Sequence, residues 1–158
     1  MIDDLEELVK AAVGEVFSTM LAQQIEPEPP NSPVVNGDAT IAGSVGFIGN
    51  LTGIVYLYLP QGFAVRLTEK LLGISPQSVE SEELVNDSVG ELTNMVVGHL
   101  KSRLSDRGRS CVMTIPSIVR GTNFCIEPVS STIRRLLTFR SHEHQVVVEI
   151  LMRPDTSS

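Results

Sequence analysis

Residues 81–104, SEELVNDSVGELTNMVVGHLKSRL, form the stretch of sequence that most constrains how this chain folds. Its apolar residues recur at alternating spacings of three and four, which is the period of one helix face. They are Val85, Val89, Leu92, Val96 and Leu100. Ser81 has the side chain of a helix N-cap, and Glu82 and Glu83 suit the positive end of the helix dipole. We therefore predict one long helix that buries this face in the core.

A second stripe of the same spacing runs beside the apolar face and consists of polar or small residues. Its members, which we call the outer stripe because such residues face solvent, are Asp87, Glu91, Asn94, Gly98 and Lys101. Gly90 and Gly98 each cost about 1 kcal/mol relative to alanine inside a helix, which indicates close approach by another backbone or by a partner. The outer stripe is thus predicted to be a docking face that carries an acid and an amide.

The outer stripe and the segments around it resemble a known family. Asp87, Glu91 and Asn94, followed by Pro116 after 21 residues, match the motif of the CheC/CheX/FliY phosphatases of bacterial chemotaxis, with a spacing to the proline one residue short of the usual one. Residues 46–60, 63–73 and 114–121 also resemble CheX. The resemblance covers most of the chain and weakens over residues 1–40.

The resemblance implies a phosphatase that removes phosphate from the receiver aspartate of CheY or a related response regulator. Asn94 would orient the attacking water, because a carboxamide oxygen accepts from water while its NH₂ group donates to a phosphoryl oxygen. Glu91 would reach the receiver's active-site lysine, and Asp87, Gly98 and Lys101 would bind the partner. Gly90 and Pro116 would be structural residues near the site. No cofactor of its own is implied, and Mg²⁺ is expected on the receiver.

The resemblance also implies the architecture: an α/β fold of the CheC type (α+β and sandwich-like), with three helices packed on an antiparallel sheet and an internal pseudo-two-fold repeat. It further implies a homodimer formed through sheet edges. Glu15 and Ser18 lie 76 residues before Glu91 and Asn94, which fits such a repeat. Because Ser18 stands where the amide would be, we expect this first site to be inactive.

The remaining segments are predicted from periodicity and turn residues to form a single domain over residues 1–158. A first helix buries a face that includes Leu5, Leu8, Val9, Ala12, Val16 and Met20. The Gly-Asn pair at 49–50 is expected to adopt positive φ in a hairpin, and Gly73 to cap the second helix. The predicted helices besides the long one are at 3–22 and 61–73, and the predicted strands lie within 39–59, 111–119, 124–128, 132–141 and 144–153. The last of these strands is apolar on both faces. Residues 25–38 are predicted to form an exposed proline-rich loop, and residues 153–158 a flexible tail.

Charge and composition exclude several classes of partner. A net charge of −7 disfavours nucleic acid and anionic membrane surfaces, because their phosphates would repel the chain. No apolar run approaches the ~20 residues of a membrane span, and the N-terminus is acidic, so a cytoplasmic protein is expected. Cys111 and Cys125 lack the spacing of a metal or redox motif and are expected to be reduced thiols.

Two other functions are compatible with this sequence. The chain could be a non-catalytic domain of the same fold that binds or scaffolds receivers without accelerating hydrolysis. A structural component of the flagellar switch similar to FliY is less favoured, since no extra module for assembly is apparent. Binding without faster dephosphorylation would favour the scaffold, and co-purification with switch proteins would favour the flagellar component.

Overall fold

A computed structural model describes residues 2–35, 39–74, 81–122, 124, 126–127, 129 and 132–153. Within these residues, three helices pack on one antiparallel β-sheet, which confirms the predicted architecture. The helices are α1 (Ile2–Leu21), α2 (Gln61–Leu72) and α3 (Glu82–Asp106). The strands are β1 (Glu26–Pro27), β2 (Ala39–Gly49), β3 (Gly53–Pro60), β4 (Cys111–Met113), β5 (Ser117–Thr122), β6 (Ile133–Ser141) and β7 (His144–Met152). Cys125, the end of the proline-rich loop and the predicted tail beyond residue 153 lie outside the described residues.

The strands follow the order β1-β6-β7-β3-β2, and both β4 and β5 pair with the far side of β2. β7 lies between β6 and β3 and is buried on both faces, as its sequence predicted. On the face toward the helices, Val146, Val148 and Ile150 join the main core. On the other face the Glu149 carboxylate is fully buried, where it accepts a 2.7 Å hydrogen bond from the Tyr58 hydroxyl and pairs with the Arg134 guanidinium. On the side of β7 that the helices do not cover, this polar group therefore lies between two buried apolar side chains, Val147 and Leu151.

The helix that carries the outer stripe forms as the sequence predicted. Ser81 adopts an extended backbone, and its Oγ accepts a hydrogen bond from the Leu84 N–H at 3.3 Å. All five residues of the predicted apolar face are buried. α2 likewise ends at Gly73, whose φ of 66° is the left-handed conformation that glycine adopts without a steric cost. In the part of the chain that the structure describes, no helix is both long and apolar enough to span a bilayer.

The predicted core face of α1 is correct except at its C-terminal end. Leu5, Leu8, Val9, Ala12 and Val16 are buried, whereas Met20 is 47% exposed. Met20 belongs to the last turn of α1, where Leu21 turns into the core instead.

The hairpin between β2 and β3 needs its glycines for a reason other than the predicted one. Among the described glycines, positive φ occurs only at Gly73 and Gly108, so the expected positive φ at Gly49 is wrong. Gly49 instead lies against the start of β4, where a Cβ atom would collide with the carbonyl oxygen of Ser110 and lie 2.8 Å from the Cα of Cys111. A Cβ atom at Gly53 would collide with the carbonyl oxygen of Leu151. Close packing of neighbouring backbones, rather than turn geometry, selects glycine at both positions.

The predicted strand at 111–119 is broken into two strands by a bulge. Thr114–Pro116 are three residues opposite two residues of β2, Val45 and Gly46. The Thr114 N–H donates to the Gly46 carbonyl at 2.9 Å, and its Oγ1 accepts from the Gly46 N–H at 2.8 Å. Proline has no N–H to donate to a ladder and is therefore accommodated at such an irregularity. The bulge places Pro116 beside α3.

Two further predictions need correction. Glu26 and Pro27 of the proline-rich loop pair with Arg140 and Phe139 as a short edge strand, although much of the loop is exposed as expected. The expected strand at 124–128 is wrong for its described residues, which lie outside any strand. A sheet edge tolerates proline because one side of the strand needs no partner, and no sequence signal distinguishes this edge from a loop.

Candidate functional site

The structure brings the five residues of the outer stripe together on the side of α3 that faces away from the core. Asp87 and Glu91 are exposed, while Asn94, Gly98 and Lys101 are half-buried. The apolar face of α3 lies opposite, against β2 and the other helices. The outer stripe is therefore open to a partner along its length.

The polar side chains at the centre of the outer stripe are free within the described chain. Asp87, Glu91 and Asn94 make no side-chain hydrogen bond or ion pair with any residue that the structure describes. Every buried side-chain nitrogen or oxygen among the residues that the structure describes has a hydrogen-bond partner. The amide atoms of Asn94 have no such partner, so they must reach solvent. The carboxamide of Asn94 keeps both its acceptor and its donors available for an external ligand.

The bulge residue Pro116 forms one flank of the site. A Cβ atom built at Gly90 would lie 3.5 Å from the Cβ of Pro116 and 3.9 Å from Cδ1 of Ile118, which are ordinary contact distances. Gly90 is buried under these two side chains, one turn before Asn94. The described chain therefore makes no approach at Gly90 close enough to require glycine: its nearest neighbours are side chains that leave room for a Cβ atom.

Gly98 differs from Gly90, because nothing in the described chain lies within 4 Å of a Cβ atom built at Gly98. An alanine would fit there in the free protein and would favour the helix by about 1 kcal/mol. The packing of the chain thus gives no reason for glycine at this position. The expectation that a partner approaches the helix backbone at Gly98 stays a prediction.

The other flank is formed by α1, which presents Glu15 to α3. The Glu15 carboxylate accepts a 2.5 Å hydrogen bond from Nη2 of Arg103 and lies 3.5 Å from Nδ1 of His99. The hydrogen bond from Arg103 is the largest cause that lowers the pKa of Glu15 below its ordinary value. Ser18 donates its hydroxyl proton to the Glu15 backbone carbonyl at 3.2 Å. The acid of the first repeat is therefore already engaged.

Sequence reasoning did not anticipate this engagement of Glu15. His99 and Arg103 are four residues apart and so share a face of α3, which was a visible signal of a basic cluster. Their partner lies more than 80 residues earlier in the chain, and only the packing of α1 against α3 joins them.

The end of the outer stripe lies near β4. Burial is the larger of two effects on the Cys111 thiol, and it raises the pKa of that group. The positive charge of Lys101 is close enough to oppose this effect and lowers the same pKa. Cys111 is buried and not in a disulfide. Among the described residues, no three His, Cys, Asp or Glu side chains cluster in a way that could hold a metal ion.

Comparison with known proteins places this geometry in a family. Residues 41–149, which make up more than half of the chain and include all of α3 and Pro116, match the model for the family described as chemotaxis phosphatase CheX. The chain belongs to the chemotaxis phosphatase CheX family. α1, with Glu15 and Ser18, lies outside the matched CheX residues.

Individual CheX proteins resemble the chain over nearly its full length. The CheY-P phosphatase CheX of Thermotoga maritima is 23% identical over 140 residues, which are 86% of this chain and 90% of the relative. The chemotaxis protein CheX of Vibrio vulnificus has a TM-score of 0.80 and 27% identity, covering 94% of this chain and 96% of that one. CheX of Borrelia burgdorferi, solved in a complex with CheY, BeF₃ and Mg²⁺, has a TM-score of 0.79 at 21% identity, covering 94% and 97%. That last likeness establishes a shared fold.

Proposed function

We propose that this protein is a phosphatase that accelerates hydrolysis of the aspartyl phosphate of a CheY-type response regulator and so ends a chemotaxis or two-component signal. The observation that carries the proposal is the free carboxamide of Asn94, which α3 holds at the surface one turn after the unpaired carboxylate of Glu91. Membership of the CheX family supports it, as does the name of the Thermotoga maritima relative, a CheY-P phosphatase. The complex of the Borrelia burgdorferi protein with CheY supports a receiver as the partner.

The reaction requires little covalent chemistry from the protein. Aspartyl phosphate is a mixed anhydride and already reactive, so the rate depends on holding one water molecule in line with the phosphorus atom. The Asn94 oxygen would accept a hydrogen bond from that water, and its NH₂ group would donate to a phosphoryl oxygen. An amide does not titrate near neutral pH, so this arrangement stays the same over the physiological range.

The other residues of the outer stripe would fix the position of the receiver. Glu91 would form a charge-assisted hydrogen bond with the receiver's active-site lysine, which sets the register of the two proteins. Asp87 lies one turn earlier at the edge of the same surface, and Gly98 and Lys101 extend it in the other direction. Mg²⁺ would be held by the receiver, where it offsets the negative charge of the phosphoryl group.

The test is to mix a phosphorylated CheY-type receiver, Mg²⁺ and this protein, and to follow the loss of phosphate. Removing one preorganised donor from a reaction centre costs on the order of 10² or more in rate, so Asn94→Ala should lose at least that much. Ser18→Ala is the matched control, because it truncates the side chain at the equivalent position of α1 and should keep the wild-type rate. Equal rates for wild type and Asn94→Ala would contradict the proposed role.

A binding measurement separates the phosphatase from the scaffold. A receiver loaded with BeF₃ and Mg²⁺ cannot be hydrolysed, so its affinity reports docking alone. Wild-type protein that binds this receiver but leaves the phosphorylated one unchanged would indicate the non-catalytic domain.

The homodimer and the cytoplasmic location stay part of this proposal. The expected dimer uses sheet edges, whereas the exposed apolar side chains favour a dimer through the sheet face away from the helices. Ile48 and Ile54 on that face, with Ile115 and Val129 beside it, are exposed and line a groove of about 580 Å³. Covering that face would leave the outer stripe of α3 open. Light scattering should give twice the mass of one chain, and Ile48→Asp should shift the mass toward one chain.

A further inference from the structure

The strand β5 contacts α3 along a single line of residues. Its side chains alternate in exposure, with Ser117 and Val119 exposed and Ile118 and Arg120 half-buried. Ile118 and the preceding Pro116 approach Gly90, as described above. Arg120 donates from Nε to Oδ1 of Asn86 at 2.6 Å and from Nη2 to the backbone carbonyl of Glu82 at 3.1 Å. Every second residue from 116 to 120 therefore contacts the helix, as the period of a strand requires.

The contacted residues of α3 form one ridge that leads to Asn94. Glu82, Asn86 and Gly90 are spaced by four, so they lie above one another on the helix surface, and the next residue on that ridge is Asn94. The strand fixes three successive positions of the ridge and leaves the fourth free. The position of the Asn94 amide relative to the bulge is thus set by how β5 holds the preceding turns.

Helix stability does not explain the choice of arginine at position 120. Its two acceptors are neutral, and they lie in the first turns of α3, where the helix dipole disfavours a positive charge. A planar guanidinium supplies two directed donors at once, so it fixes both the height and the rotation of the helix, whereas a lysine ammonium is a single point charge. Geometry is the property that arginine adds here.

We propose that Arg120 is a positioning residue for the phosphatase site, which orients the Asp87–Asn94 part of α3 against β5 through Asn86 and the Glu82 carbonyl. The inference rests on the proposed function. An error of about 1 Å in the position of a reacting group is enough to cost on the order of 10² in rate. Loss of Arg120 should therefore slow the chemical step more than it weakens docking.

The experiment compares Arg120→Ala, Arg120→Lys and the control Arg135→Ala in single-turnover dephosphorylation over a range of protein concentrations. Arg135 is a matched control, because its guanidinium pairs with Glu6 at 3.4 Å, away from α3. We expect Arg120→Ala to lower the limiting rate by about tenfold or more while the half-saturating concentration changes less than about threefold. Arg120→Lys should recover only part of that rate, and Arg135→Ala should match wild type.

The pair Asn86 and Arg120 gives a second test that does not depend on one variant folding well. Asn86→Ala removes one of the two acceptors and leaves the arginine, so the double variant should lose no more rate than Arg120→Ala alone if the two residues act as one unit. Additive losses in that cycle overturn the proposal.

Several outcomes distinguish the two hypotheses. An unchanged limiting rate for Arg120→Ala with active wild-type protein overturns only the positioning role. A change confined to the half-saturating concentration also overturns it and makes Arg120 part of the docking surface. Wild-type protein that does not accelerate hydrolysis overturns the proposed function and, with it, the role of Arg120.

Discussion

α1 and α3 carry the same short sequence and have different surfaces. Val-Gly-Glu occurs at 13–15 and again at 89–91, and each glutamate is followed three residues later by a small polar side chain, Ser18 or Asn94. Both helices bury an apolar face in the same core. Glu91 nevertheless stays unpaired, whereas Glu15 is held by two basic side chains. The comparison teaches that an acid at the right spacing makes a candidate site only when its side chain is free.

The basic side chains that pair with Glu15 come from α3, the helix that carries the second Val-Gly-Glu sequence. His99 and Arg103 lie on the side of α3 that meets α1. The outer stripe lies on the side of α3 that faces away from the core. Packing two similar helices against each other therefore leaves one polar stripe open and covers part of the other.

The largest effect is expected from a variant that tests whether α1 can supply the catalytic amide in place of α3. Ser18→Asn in an Asn94→Ala background supplies an amide at the first site, yet the rate should stay on the order of 10² below wild type, because Glu15 remains bound to Arg103. The dephosphorylation assay measures this directly. Recovery to the wild-type rate would mean that the amide alone distinguishes the two helices.

A smaller effect separates two glycines that lie at open places on their helices, one on α1 and one on α3. Gly14→Ala and Gly98→Ala should each stabilise the free protein by about 0.5–1 kcal/mol, since a Cβ atom at either position meets nothing within 4 Å. Only Gly98→Ala should also weaken binding of a BeF₃-loaded receiver, by roughly fivefold, because its methyl group would enter the docked surface. Denaturant unfolding and calorimetric titration check the two quantities. Equal affinities for both variants would remove Gly98 from the docking face.

The smallest expected effect concerns the charge state of Glu15. Arg103→Gln removes the main cause that lowers the pKa of Glu15, so this pKa should rise toward its ordinary value, as an NMR pH titration would show. A lowered pKa stabilises the fold above the ordinary carboxyl range, and this contribution is lost as the pH falls through the folded-state pKa. Wild type should therefore lose more stability on acidification than Arg103→Gln. An unchanged Glu15 pKa in the variant would contradict the assigned pairing.

The parts of the fold that the sequence predicted are those determined by local patterns. The period of Val85 to Leu100, the Ser81 cap and the left-handed Gly73 each depend on residues within one or two turns. The parts that failed depend on neighbours distant in the chain. The bulge at Pro116 follows from pairing with β2, and Gly53 is selected by the carbonyl of Leu151.

The candidate site shows the same division. The sequence predicted which residues share the outer stripe, because helix spacing alone decides that. It did not predict the bonds of Arg120 to the Asn86 side chain and the Glu82 carbonyl, or the bond of Glu15 to Arg103, since these join residues more than 30 positions apart. Whether Glu91 and Asn94 act on a phosphorylated receiver stays a prediction for the assays above.

The unpartnered amide of Asn94 has a practical consequence. Asn94 makes no hydrogen bond or ion pair within the described chain, so shortening it should leave the rest of the proposed recognition surface in place. Such a variant would hold an activated regulator without switching it off. Immobilised on a resin, it would capture phosphorylated regulators from cell extracts, and fused to a fluorescent protein it would report where they accumulate in the cell.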